Sequence, residues 1–119
     1  MQARIGDLNV HVHDFERALA FYRDALGFRL ESADPGFSYA RFDDGGMPLA
    51  VAAGPAQGGP HQDRLTGIGI VVPDVEAAYA ELKAKGVRFT MEPSRQPWGG
   101  YMAMFADPDG NVFYLDQAA

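Results

Sequence analysis

Asp7, Asn9 and His11 alternate with Leu8, Val10 and Val12 near the start of the chain. Alternation of this kind marks a strand with one apolar face, so the three polar side chains point the same way. A carboxylate, an amide and an imidazole in a row can hydrogen-bond a ligand. They can equally form a polar seam satisfied by water or by a wet interface, and the residues leave both readings open. They do not make an Asp–His catalytic pair: four residues at ~3.3 Å each put Asp7 roughly 13 Å from His11. His11-x-His13 is a poor metal site as well. His13 adjoins Asp14, which suits a helix cap, and the remaining histidine, His61, lies in a Gly/Pro-rich stretch.

The second chemistry-bearing stretch is Pro97-Trp98-Gly99-Gly100. It holds the only tryptophan of the chain, set between proline and glycine rather than in a regular element. An indole so placed can stack on a planar ligand or pack at an interface. Tyr101, Met102, Met104 and Tyr114 follow in strand-like runs. Methionines on an inner wall suit a broad apolar ligand, but alternation sends Tyr101 opposite to Met102 and Met104, and the sequence does not say which side faces inward. Asp107-x-Asp109-x-Asn111 begins like a calcium loop. Its glycine, Gly110, comes two places early and the twelfth position is Ala118, so it reads as a hairpin turn. No phosphate-binding loop, dinucleotide fingerprint or nucleophile elbow is present.

The elements that must carry these residues fall into two copies of one unit. Val12-His13-Asp14-Phe15-Glu16-Arg17-Ala18 returns as Val72-Pro73-Asp74-Val75-Glu76-Ala77-Ala78, sixty positions on. An apolar-alternating run precedes each copy, and each helical stretch closes at a glycine, Gly27 and Gly86. In the first copy, residues 5–13 read as a strand. Asp14 caps a helix whose stripe is Phe15, Ala18, Leu19, Tyr22 and Leu26. Strands at 28–33, 37–42 and 47–53 follow, with turns at Asp34-Pro35-Gly36 and Asp43-Asp44-Gly45-Gly46. In the second copy the strands are 66–72, 87–91, 101–105 and 112–115, with a helix after Asp74 and a loop over 92–100. The expected fold is therefore α+β: tandem βαβββ modules forming curved mixed sheets with helices outside. It is expected as a single domain over 1–119, with modules at 5–53 and 66–117 and a linker at 54–65.

These words resemble the vicinal oxygen chelate superfamily, which includes glyoxalase, extradiol dioxygenases and bleomycin-resistance proteins. The resembling residues run from Val12 to Phe28, ending Phe21-Tyr22-Arg23-Asp24-Ala25-Leu26-Gly27-Phe28, and again from Phe105 to Asn111. The resemblance implies four metal-ligating positions. Three fall at Asp7, Gly67 and Tyr114, and the fourth lies near Leu49 to Val51. Glycine and leucine offer no donor, and a phenol must lose a proton of pKa ~10 to bind a divalent ion. No catalytic metal and no cofactor are therefore expected. Gln96-Pro97-Trp98-Gly99, and Phe37 followed by Arg41, are similar to the bleomycin-resistance proteins. Carried over, Phe37 and Trp98 become a stacking pair in a groove built by two subunits.

Composition sets the remaining bounds. A net charge of −6 disfavours nucleic-acid partners and mildly favours cationic ligands. Cysteine is absent, which excludes disulfides and thiol nucleophiles and fits a cytoplasmic protein. No apolar run spans a membrane and no signal peptide is evident. The sequence thus predicts a metal-independent small-molecule binding protein of the bleomycin-resistance type. It would sequester a planar, preferably cationic, ligand in a concave groove lined by Asp7, Asn9, His11, Phe37, Trp98 and Tyr114. Open sheet edges predict a homodimer. Two alternatives stay open: a glyoxalase- or dioxygenase-like enzyme with an atypical site around Asp7 and Tyr114, and a non-catalytic interaction module.

Overall fold

The computed structural model describes residues 1–43, 45–53 and 63–118. Asp44 of the expected hairpin turn, and residues 54–62 of the expected linker with His61, lie outside the described residues. The chain divides into two compact units, Met1–Pro60 and His61–Ala119. Each is a βαβββ module with a four-stranded mixed sheet, so the α+β class and the repeat are as the sequence predicts.

In the first unit, β1 (Leu8–Val12) leads to α1 (Phe15–Leu19), β2 (Leu30–Asp34), β3 (Tyr39–Phe42) and β4 (Leu49–Ala53), in the sheet order β1-β4-β3-β2. The β1–β4 pair is parallel, with Asn9 opposite Ala50 and His11 opposite Ala52. Asp14 caps α1, its carboxylate accepting from the Arg17 N–H. The helix then widens into π-type winding over Ala20–Ala25 before Gly27 takes a left-handed φ of 75°. Alternation sorts the strands as expected. Val10, Val12, Phe42, Leu49 and Val51 are buried with Phe15, Ala18, Leu19 and Tyr22, and the Tyr22 ring packs among Phe21, Phe28 and Phe42.

In the second unit, β5 (Arg64–Val72), α2 (Val75–Ala84), β6 (Arg88–Arg95), β7 (Tyr101–Ala106) and β8 (Asn111–Gln117) repeat the plan, in the order β5-β8-β7-β6 with β5 parallel to β8. Asp74 caps α2 through the Ala77 N–H. The core is a run of aromatic contacts from Tyr79 through Phe89 and Phe105 to Phe113. No helix among the described residues is long and apolar enough to cross a membrane.

Several boundaries differ from the expected ones. Strand β6 runs on to Arg95, where a loop from Glu92 is expected. It is an edge strand, and its register skips between Met91 and Ser94, so Pro93 sits where no ladder donor is needed. Strand β8 starts at Asn111 and runs to Gln117 rather than stopping at Leu115. Phe37 does not open β3. It ends a 3-10 turn, Pro35–Phe37, started by the fixed φ of proline, and Ser38 at φ 50° turns the chain into Tyr39. Strand β1 begins at Leu8, so Asp7 lies just ahead of it.

Candidate functional site

Strands β7 and β8 sort their side chains cleanly. Ala103, Phe105, Phe113 and Leu115 are buried in the core with Val75 and Leu82 of α2. Met102, Met104, Tyr114 and Asp116 point to the opposite face, which settles the orientation that alternation leaves open. Register aligns them into two rows across the sheet. Met91, Met104, Tyr114 and Gly69 form one, and Ser94, Met102, Asp116 and Val71 the other.

Over these rows lies a cavity of about 360 Å³, lined by Met91, Gln96, Trp98, Met102, Met104, Tyr114 and Asp116. Its floor is thioether and phenol, soft surface that adapts to the shape of an occupant. One wall is the turn that carries Trp98. That turn is braced at both ends: Gln96 N–H donates to Gly100 O (2.7 Å), Gly99 N–H to Gln96 O (2.9 Å) and Arg95 Nη1 to Gly99 O (2.8 Å). The Gln96 amide also donates to Ser94. The Trp98 side chain remains 74% exposed, so the held turn presents an indole with a free face.

Tyr101 faces the other way. Its hydroxyl donates to Glu76 on α2, and the Arg95 guanidinium lies 5.4 Å from its ring centre. The hydrogen bond to the Glu76 carboxylate, followed by burial, holds the phenol proton on to higher pH than usual. Arg95 therefore joins α2, by way of Tyr101, to the turn bearing Trp98.

Asp116 is the residue the sequence reading does not single out. It stands two places beyond Tyr114, and alternation puts both on one face once β8 is allowed to run to Gln117. Gly69 gives it room: a Cβ at that position would lie 2.6 Å from Asp116 Oδ2.

The first unit presents a polar face instead. Asn9 Nδ2 donates to Asp7 Oδ1 (2.9 Å), and Arg41 Nη1 donates to Asp7 Oδ2 (2.8 Å). Arg41 Nε also lies 3.4 Å from Glu31. Asp7 and Asn9 are thus brought together, with Arg41 as a partner that sequence reasoning assigns no bond. His11 follows on the same strand face and is exposed. Phe37 is 80% exposed at the end of its turn.

The donors at the family's ligand positions do not suit a divalent ion. Both Asp7 oxygens are engaged by Arg41 and Asn9. Gly67 has no side chain and a φ of 75°. Leu49 to Val51 offer only hydrocarbon, and the Tyr114 ring lines an apolar wall. Among the described residues, no three His, Cys, Asp or Glu side chains are grouped to hold a metal.

Comparison with known proteins agrees with this fold. The family model of the Glyoxalase/Bleomycin resistance protein/Dioxygenase superfamily matches residues 4–115. YraH of Bacillus subtilis strain 168, described only as an uncharacterized protein, is 30% identical over 123 aligned residues, covering 94% of this chain and 96% of YraH. Among solved structures, a superfamily member from Sphaerobacter thermophilus is 33% identical with a TM-score of 0.76, covering 98% of each chain. A lactoylglutathione lyase from Agrobacterium tumefaciens has the same TM-score of 0.76 at 21% identity, over 99% of this chain and 96% of its own, and shares the fold.

Proposed function

Because this chain belongs to the glyoxalase/bleomycin resistance protein/dioxygenase superfamily, whose scaffold carries both binding and catalytic sites, we propose that it is a metal-independent small-molecule binding protein. It holds a planar ligand on the open face of its second sheet, between the methionine floor and Trp98. The observation that carries this reading is the cavity lined by Met91, Met102, Met104, Tyr114 and Trp98. Thioethers and aromatic faces give broad dispersion contact to a flat ring system, and the one carboxylate of the lining, Asp116, has no histidine, cysteine or serine beside it in the lining to activate. The enzyme alternative needs Asp7 as a metal ligand or base, and Asp7 is already paired with Arg41. The same reading takes the working species as a cytoplasmic homodimer.

Trp98 is the only tryptophan, so its emission reports directly on the site. Titration with bleomycin and with 9-aminoacridine, a flat cationic heteroaromatic, is expected to quench it saturably. Trp98→Phe, followed by calorimetry, should keep most of the binding. Trp98→Ala should lose about tenfold, the scale of a lost stacking contact. Absence of quenching by both compounds into the high micromolar range would count against the reading. A stoichiometric metal retained by protein purified without chelator would count against its metal-independent part.

A further inference from the structure

We infer that Asp116 sets the charge selectivity of the cavity, which admits planar ligands carrying a protonated nitrogen and disfavours neutral analogues of the same shape. The inference rests on the binding reading and deepens it. Among the cavity-lining residues, Asp116 alone bears a formal charge; the other six are thioether, aromatic or amide. Among the described residues no cation or donor is paired with its carboxylate, in contrast to Asp7 with Arg41 and Asp63 with Arg88. A flat ligand seated on the floor brings its rim against this half-buried carboxylate and shields it in part from solvent. A neutral ligand would leave a partly desolvated, unpaired anion, and an anionic one would be repelled. A ligand with an N–H cation at its rim replaces the lost water with a charge-assisted hydrogen bond.

Two features fix where that cation must sit. Asp116 lies opposite Met102 in the second row, so the charge is at the edge of the methionine floor rather than beneath it. Its carboxylate occupies space that any residue other than glycine at position 69 would fill, since a Cβ there meets Oδ2 at 2.6 Å. Gly69 is thus a positioning residue for the anion. The ligand class is a fused or linked aromatic with an amine or amidine at one end.

The test is a matched pair, 9-aminoacridine, protonated at neutral pH, and acridine, neutral there and nearly the same shape. Each is titrated into wild type, Asp116→Asn, Asp116→Glu and Gly69→Ala, with calorimetry alongside Trp98 quenching. Wild type should prefer the aminoacridine by about tenfold, the scale of one charge-assisted contact near the surface. Asp116→Asn should erase that preference by weakening the cation while leaving acridine unchanged or tighter. Asp116→Glu should keep it, and Gly69→Ala should reduce it by displacing the carboxylate. Equal preference in wild type and Asp116→Asn overturns the selectivity while leaving the binding reading intact. If neither compound binds wild type, the binding reading itself fails and the selectivity falls with it. Thermal melting of each variant identifies any that is misfolded, and the Asp116→Glu and Gly69→Ala comparison then decides.

Discussion

Trp98 owes its pose to a neighbour with no side chain. A Cβ at Gly100 would approach the indole Nε1 to 2.8 Å and Cδ1 to 3.3 Å, so the ring folds against the chain only because that position is bare. Gly99 has a φ of 96° and is held to glycine by its backbone, whereas Gly100 has no positive φ and would accept alanine there. Gly100→Ala should therefore cost little stability, within about 1 kcal/mol. It should turn the indole away, shift the tryptophan emission spectrum and weaken planar ligands about tenfold. An unchanged spectrum would show that Gly100 does not set the pose. At this scale the sequence was informative where a residue type is rare in its setting: a tryptophan between proline and glycine is visible without coordinates. Asp116 was not visible, because its meaning depends on where β8 ends. Nor was the engagement of Asp7 by Arg41, a contact across 34 positions that no local pattern encodes.

The elements are pinned by polar contacts at one end of the second unit. Asp63, just before β5, forms a two-pronged ion pair with Arg88 at the start of β6, at 2.7 and 3.1 Å. Arg64 donates to Asn111 of β8, while Asp107 accepts from the backbone of Asp109 and Asn111 and from the Asn111 amide, fixing the β7–β8 turn. The hydrogen bonds from Arg88, and its charge, hold the Asp63 carboxyl below the usual carboxylate range. A carboxyl depressed in the folded state contributes stability that is present above its unfolded pKa, ~3.9, and is lost as pH falls through the folded value. Asp63→Asn should thus lower the urea midpoint at pH 7 and converge with wild type near pH 2. A deficit that persists unchanged in acid would assign the loss to packing. Both groups are about half exposed, so the effect is small and screened by salt. Helix starts at Asp14 and Asp74 and the left-handed glycines were legible, since a cap and a positive φ are local requirements. The reach of β6 was not, because Pro93 reads as a breaker until the strand is known to be an edge.

For the molecule as a whole, the repeat predicts two equal scaffolds, and the two units share strand order and parallel first-to-last pairing. Their open faces have diverged. Where the first unit sets Asn9, Ala50 and Arg41 across its sheet, the second sets Gly69, Tyr114 and Met104 at matching places in the register. One face is a polar network and the other an apolar floor with a single carboxylate. The second unit also leaves Leu65 and Val71, 64% and 66% exposed, on its edge strand β5. Exposed apolar side chains on an edge strand favour association with a second copy. Sedimentation velocity should show a dimer at micromolar concentration that Leu65→Glu with Val71→Glu shifts to monomer. A wild type that stays monomeric throughout would rule the association out.

That first-to-last pairing imposes an order on synthesis. As the chain leaves a ribosome, β5 emerges first of the second unit's strands, yet its sheet partner among the described residues, β8, begins at Asn111. The helix α2 and the β6–β7 pair can assemble while β5 waits with its ladder groups open, and release before Asn111 would remove an inner strand rather than a fringe. Until β8 follows, β5 is open to strand exchange with neighbouring chains, as β1 is until β4 follows. Slow translation between β5 and β8, or an early stop there, would yield aggregate in place of a partly working protein.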